Sequence, residues 1–274
     1  MRKYLLHTLY CALSICNLSL LVLCTACTEQ DGLPSADPQP LTLAIGETVP
    51  FVEVTGNSNT RIADSGTDLA WENGDKIYLA ATITASGGTT SYAYSTATYT
   101  ISGSTGTWSA PDPVLSAPLG ATVKIEAIYA NGTLSGNILT LTENSIVMKA
   151  TSASITITAS PAAIPLKFKS ELVRFDVTGI SATNTVTANY YNPKRIDTQP
   201  ADGSLSITST LVSNKTLTTN GAYYFSPGKT TFFSNNPQKS IALEAADVKA
   251  NQSYPINMST DSGSIRPDGE PFRP

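Results

Sequence analysis

The chain has 274 residues, with 17 Lys and Arg against 21 Asp and Glu, a formal net charge of −4, and nowhere a Lys/Arg cluster. Counterion release at a phosphate backbone therefore has no footprint, which excludes nucleic acid as a partner. All four cysteines (Cys11, Cys16, Cys24, Cys27) and the single histidine, His7, lie within the first 27 residues. The chain beyond Cys27 can hold no disulfide framework, Cys/His zinc site, Ser-His-Asp triad or Cys-His dyad, so most hydrolase chemistry is removed and no cofactor is expected.

In chain order, Arg2 and Lys3 form a positive n-region, and residues 4–23 are largely apolar, interrupted by His7, Ser14, Asn17 and Ser19. This is the layout of a bacterial export signal, not of a spanning helix. Lipoprotein processing requires small residues before the cysteine that carries the lipid. Ala26-Cys27 fits this and Leu23-Cys24 is the poorer acceptor, so residues 1–26 read as a signal peptide and Cys27 as the lipidated residue. Its removal leaves 15 basic against 21 acidic residues, or −6. Multiple acyl chains anchor a protein to a membrane without a spanning helix. Residues 27–40 are polar, with Pro34, Pro38 and Pro40, and read as a tether.

Beyond the tether no helical periodicity recurs; short Thr/Val/Ile/Tyr-rich runs alternate with Gly, Asn, Asp and Ser. The fold class is all-β. Strands are predicted at 41–45, 76–84, 91–101, 106–109, 122–130, 138–142 and 154–158. In residues 123–129, Val123, Ile125 and Ala127 face a core, while Lys124, Glu126 and Ile128 form a face mostly toward water. Ser160-Pro161-Ala162-Ala163-Ile164-Pro165 breaks the pattern and marks a domain boundary. A second set of strands is predicted at 166–169, 172–179, 185–191, 204–210, 222–226, 230–234, 240–244 and 253–258, with turns at Asp202-Gly203 and Asn220-Gly221. Roughly 245 residues suffice for two β domains. The expected layout is two tandem β-sandwiches, 41–160 and 161–274, the second ending in a short tail.

Thr60-Arg61, Trp71-Glu72-Asn73-Gly74-Asp75-Lys76-Ile77, the run from Leu166 to Val177 and the closing strand Ala250-Asn251-Gln252-Ser253-Tyr254-Pro255-Ile256-Asn257-Met258 together resemble the fimbrillin family of Bacteroidetes, the type V pilins. The acidic segment after Cys27, Thr28-Glu29-Gln30-Asp31-Gly32, is similar to the surface-export tag of Bacteroidetes lipoproteins. Pro255 departs from the family pattern and indicates an edge strand. The resemblance implies transthyretin-like sandwiches on the outer membrane, and cleavage after an arginine behind the first strand. That strand then leaves, and the groove accepts a strand from another fimbrial subunit. The arginine is Arg61, in a polar, nickable stretch, and the departing strand carries Leu41, Leu43 and Ile45 at period two. The tail, with Pro267 and Pro271, is a poor ladder partner, which points to a fibre end.

Other residues leave alternatives open. Trp71, Trp108, Tyr92, Tyr94, Tyr99, Tyr190, Tyr191, Tyr223 and Tyr224 suit either a sugar-stacking platform or cross-strand packing. Asp64/Asp68 and Glu72/Asp75 suit turns better than calcium, since neither has ligand-loop spacing, and no metal site is expected. Two functions stand side by side: a non-enzymatic fimbrial subunit, pilin or tip, that adheres to host glycan or protein, and a stand-alone glycan-binding surface lipoprotein.

Overall fold

The computed structural model describes residues 37–54 and 71–259. Cys27, Arg61, Asp64, Asp68 and the tail beyond Ser259 lie outside the described residues. Apart from Asp37, the described residues belong to one compact unit, Pro38–Pro274. Among them there is no helix, and the chain is all-β with sandwich packing. The strands are β1 (Gln39–Pro40), β2 (Leu43–Thr48), β3 (Val52–Glu53), β4 (Lys76–Thr84), β5 (Thr90–Ser102), β6 (Thr105–Trp108) and β7 (Ser116–Ala117). Next come β8 (Thr122–Ala130), β9 (Gly132–Ser135), β10 (Ile138–Leu141), β11 (Val147–Thr151), β12 (Ile155–Thr156) and β13 (Ile164–Ser170). The chain continues with β14 (Val173–Thr178), β15 (Val186–Asp197), β16 (Ile207–Leu217), β17 (Gly221–Asn235), β18 (Gln238–Leu243) and β19 (Gln252–Asn257).

The first sheet runs β2-β13-β11-β8-β4-β5-β6, with β12 also on β8. The second runs β3-β19-β14-β17-β15-β10-β9, with β16 on β15 and β18 on β17. Two predicted strands lie in the other sheet from the one expected, and β3 and β9, from the earlier half of the chain, also belong to the second sheet. Residues 138–142, expected in the first set, form β10 against β15 of the second sheet. Residues 166–169, expected to open the second set, lie in β13 of the first. Which neighbour a strand takes is decided by tertiary packing, and its period-two pattern is silent on that. The two runs predicted at 222–226 and 230–234 are one strand, β17. Between Ser226 and Thr231 it bulges against Tyr191–Asn189, and Pro227, with no N–H to give, sits in that bulge.

Each sheet has its own core. The first gathers Leu41, Ile77, Leu79, Val123, Ile125, Ile164, Leu166 and Phe168. The second gathers Val173, Phe175, Val186, Phe225, Phe232, Tyr254 and Ile256. A third cluster covers the outer face of β4 and β8: Tyr78, Ala80 and Ile128 pack with Leu172, Ile196 and Leu205 from the later half of the chain. This corrects the reading of that β8 face as mostly toward water. Ile128 is fully buried and Glu126 is only 9% exposed.

Glu126 is tolerated there because it is fully occupied. Its carboxylate lies 2.8 Å from Lys149 Nζ and 3.4 Å from Lys124 Nζ, and it accepts the Leu205 N–H at 3.1 Å. Lys149 also donates to the Leu205 carbonyl at 2.6 Å. The pair thus clamps a loop of the later half onto the first sheet. Burial pushes the Glu126 carboxyl up, but the Lys149 hydrogen bond and charge outweigh it and hold the group below its ordinary range. In the unfolded chain Glu126 protonates near the usual carboxylate value, about 4.3. A folded-state value below that makes the contribution full at neutral pH and lost as pH falls through the folded value. Removing one member of a buried pair costs about 3–5 kcal/mol. Glu126→Ala is therefore expected to lower stability by about 3 kcal/mol at pH 7, with the deficit shrinking below pH ~4 as the wild-type carboxylate protonates. Urea unfolding at both pH values checks this; a deficit unchanged by acid contradicts it.

Candidate functional site

The first strand has a built seat. β2 runs parallel to β13, pairing Leu43 with Ile164, Ala44 with Pro165 and Ile45 with Leu166, and β2 then carries one extra residue before Thr48 meets Phe168. Ile164 donates its N–H to the Thr42 carbonyl at 2.8 Å, and Val49 donates to the Phe168 carbonyl at 2.7 Å. β13 alternates buried and exposed along its length. Pro165 fits because the ladder of β13 with β11 begins only at Lys169 and Ser170. Over Ile164–Phe168, among the described residues, β2 is the one strand laddered to β13.

The three apolar residues expected on the departing strand share one face, as period two requires. Leu41 is buried in the first core, and Leu43 and Ile45 pack half-buried against it. Full burial of such a side chain is worth about 1.5–3 kcal/mol, so Leu41 supplies that and the other two roughly half each. Upstream, Leu41 donates to the Leu115 carbonyl at 2.8 Å and β1 pairs with β7.

Trp71, the first described residue after the segment containing Arg61, closes the seat. Its ring makes edge contacts with Trp108, Tyr129 and Phe168 at 4.9, 5.4 and 5.3 Å, and its indole N–H reaches the Gly46 carbonyl at 3.5 Å. Asp75 fixes the turn that presents it: the carboxylate accepts the Glu72 N–H at 2.7 Å and the Tyr129 hydroxyl at 3.0 Å. Burial, with Asp75 beside it, pushes the Tyr129 phenol up. Trp71 and Trp108 are thus packing residues, and Glu72/Asp75 is a turn. The tyrosines are spread: Tyr94 donates to the Pro200 carbonyl, Tyr99 tilts on Trp108, and Tyr190, Tyr223 and Tyr224 line a cavity in the second sandwich.

After β2 the segment crosses to the other sheet, where β3 pairs parallel with β19 at Gln252 and Ser253. Phe51 packs on Tyr224 and Val54 on the second core. The crossing turns on Asn251, whose role sequence reasoning missed although it stands in the closing motif. Its N–H donates to the Leu172 carbonyl (2.9 Å), its side chain accepts the Ser170 N–H (3.1 Å) and donates to the Pro50 carbonyl (3.1 Å), and its own carbonyl accepts the Val52 N–H (2.8 Å). Its φ of 61° is left-handed, which Asn accepts better than other side chains. Pro255 lies beyond the β19 residues paired with β3, so among the described residues the strand has an edge at that proline, as expected.

No protein-family profile matches the sequence, and no curated protein matches it. Solved structures from Bacteroides are similar to it at low identity. A candidate cell adhesion protein from Bacteroides fragilis is 11% identical with TM-score 0.39, over 80% of this chain and 92% of that one. Another, from Bacteroides thetaiotaomicron, is 16% identical with TM-score 0.37, over 85% of this chain and 97% of that one. A fimbrial protein from Bacteroides ovatus is 13% identical with TM-score 0.35, over 82% of this chain and 52% of that one.

The Asn251 junction yields a graded expectation. Asn251→Gly keeps the backbone conformation and loses two side-chain hydrogen bonds, costing about 1–2 kcal/mol, and Asn251→Ala adds roughly 1–2 kcal/mol of left-handed strain. Denaturant unfolding of the two variants checks the order; an Ala variant as stable as the Gly variant contradicts it.

Proposed function

We propose that this chain is a non-enzymatic surface subunit of a fimbria, held on the outer membrane through lipid on Cys27 and made competent for assembly when a protease cuts after Arg61 and the first strand leaves. The supporting observation is the seat of that strand. Leu41, Leu43 and Ile45 fill the first core from a chain segment bonded to the body only by noncovalent contacts and by residues 55–70, in which Arg61 stands. Its departure bares the β13 edge and apolar positions beside Ile164, Leu166 and Phe168, and an open edge with a row of empty pockets accepts another strand. The donor is a further fimbrial subunit. The tail, interrupted by Pro267 and Pro271, donates poorly, so this subunit accepts better than it donates and suits a fibre end. A second reading, a stand-alone glycan-binding surface lipoprotein, is favoured by the cavity beside Tyr190.

Treating the membrane-bound chain with an arginine-specific protease, in the presence of its fimbrial partners, is expected to give a new N-terminus at Ile62 and SDS-resistant multimers, while Arg61→Ala stays monomeric. Multimers formed equally well by Arg61→Ala would sink the cleavage step.

A further inference from the structure

The second sandwich contains a cavity of about 360 Å³, at the small end of the ~300–1,000 Å³ range of ligand sites. It opens between β15–β16 and the first half of β17, capped by the turn after β10. That turn is held in place: Asn144 accepts the Tyr224 N–H at 2.9 Å and donates to the Ala222 carbonyl at 3.2 Å. Glu143 and Lys215 pair across the mouth at 2.9 Å with both side chains about half exposed, so the one cation lining the cavity is paired.

Two polar side chains at the base of the cavity are unoccupied. Tyr190 is 4% exposed and Asn192 is 5% exposed, and both line the cavity from the same face of β15. Tyr190 lies flat on Phe225, ring centroids 3.7 Å apart, which fixes the direction of its hydroxyl. Among the described residues neither that hydroxyl nor the Asn192 carboxamide has a hydrogen-bond partner. No described side-chain atom fully shut off from the surface lacks one, so these polar atoms face cavity space. Side chains this buried whose polar atoms reach open space leave their donors and acceptors available to whatever enters the cavity. Asn192 offers donors and an acceptor and the Tyr190 hydroxyl offers one of each. Thr216 and Thr218 add hydroxyls, and Tyr223 presents a ring.

We propose that the Tyr190–Asn192 cavity binds a terminal neutral sugar of a glycan chain. Interleaved donors and acceptors, a paired cation and aromatic walls match a pyranose, whose hydroxyls both give and take hydrogen bonds and whose C–H faces lie against rings. The one cation among the lining residues, Lys215, is already paired with Glu143, which leaves an acidic sugar or a phosphate no free charge in the lining. The site supplies an adhesive contact for a surface subunit and stands whether or not the first strand is exchanged.

The test is an array of neutral, sialylated and sulfated glycans probed with the purified full-length chain, followed by titration of the best neutral oligosaccharide. Neutral glycans are expected to be retained. Tyr190→Phe, which keeps the ring stack and loses one hydrogen bond, is expected to weaken binding about 5- to 10-fold. Asn192→Leu is expected to abolish binding while leaving the melting temperature equal to wild type or higher, an outcome a purely structural asparagine would not give. Arg61→Ala is expected to bind as wild type does, so the outcome here is read independently of strand exchange. Absence of neutral-glycan binding, retention of acidic glycans alone, or undiminished binding by both cavity variants overturns the proposal.

Discussion

The parallel seat of β2 on β13 is the contact on which the rest of the first sandwich depends. Ile164, Leu166 and Phe168 are fully buried, but the strand that carries them is laddered to β11 only at its far end. Its other backbone partner arrives from the start of the chain, separated from β13 by almost the whole first sheet. Parallel pairing allows this, because such strands never meet through a hairpin and must be joined by a long connection. A strand from early in the chain thus closes one edge of the first sheet.

The same segment does not stop at one sheet. Having crossed Asn251 it pairs with β19, and its Phe51 and Val54 pack on the second sandwich. The Glu126–Lys149 clamp and the third core tie the sheets together independently of that segment, through residues of β4, β8 and the loop around Leu205. Two linkages of different character result. One lies in the interior and is protected by burial; the other is an edge strap that leads into residues 55–70. The interior linkage shares no residue with the strap.

Much of the strand pattern was legible from Thr/Val/Ile/Tyr-rich runs set between turn residues: β4 and β8 lie at the predicted bounds although both are buried on both faces, and Leu41, Leu43 and Ile45 face the core as period two demands. β11 went unpredicted, since Val147-Met148-Lys149-Ala150-Thr151 starts with two adjacent apolar residues and is buried at both. Glu126 read as a water-facing residue because charge predicts exposure only where no partner waits, and its partners, Lys149 and the Leu205 amide, are far along the chain. The exchange of β10 and β13 between sheets was equally hidden, since alternation states that a strand has a neighbour and not which one. Asn251 could have been suspected only from its kind, an asparagine between two strand-like runs, where left-handed turns favour that residue. The Tyr190–Asn192 pair had a weaker signal still: alternate positions of one strand, an aromatic and an amide, which in sequence look like ordinary sheet packing.

Amide hydrogen exchange at Ile164 tests the central claim most directly, because its N–H is given to Thr42 on the departing strand. In the intact chain that amide is expected to be protected. After cutting behind Arg61 and loss of the first strand it should exchange fast, and it should regain protection when a fimbrial partner's strand is supplied. Protection that persists after the first strand has been removed would contradict the account.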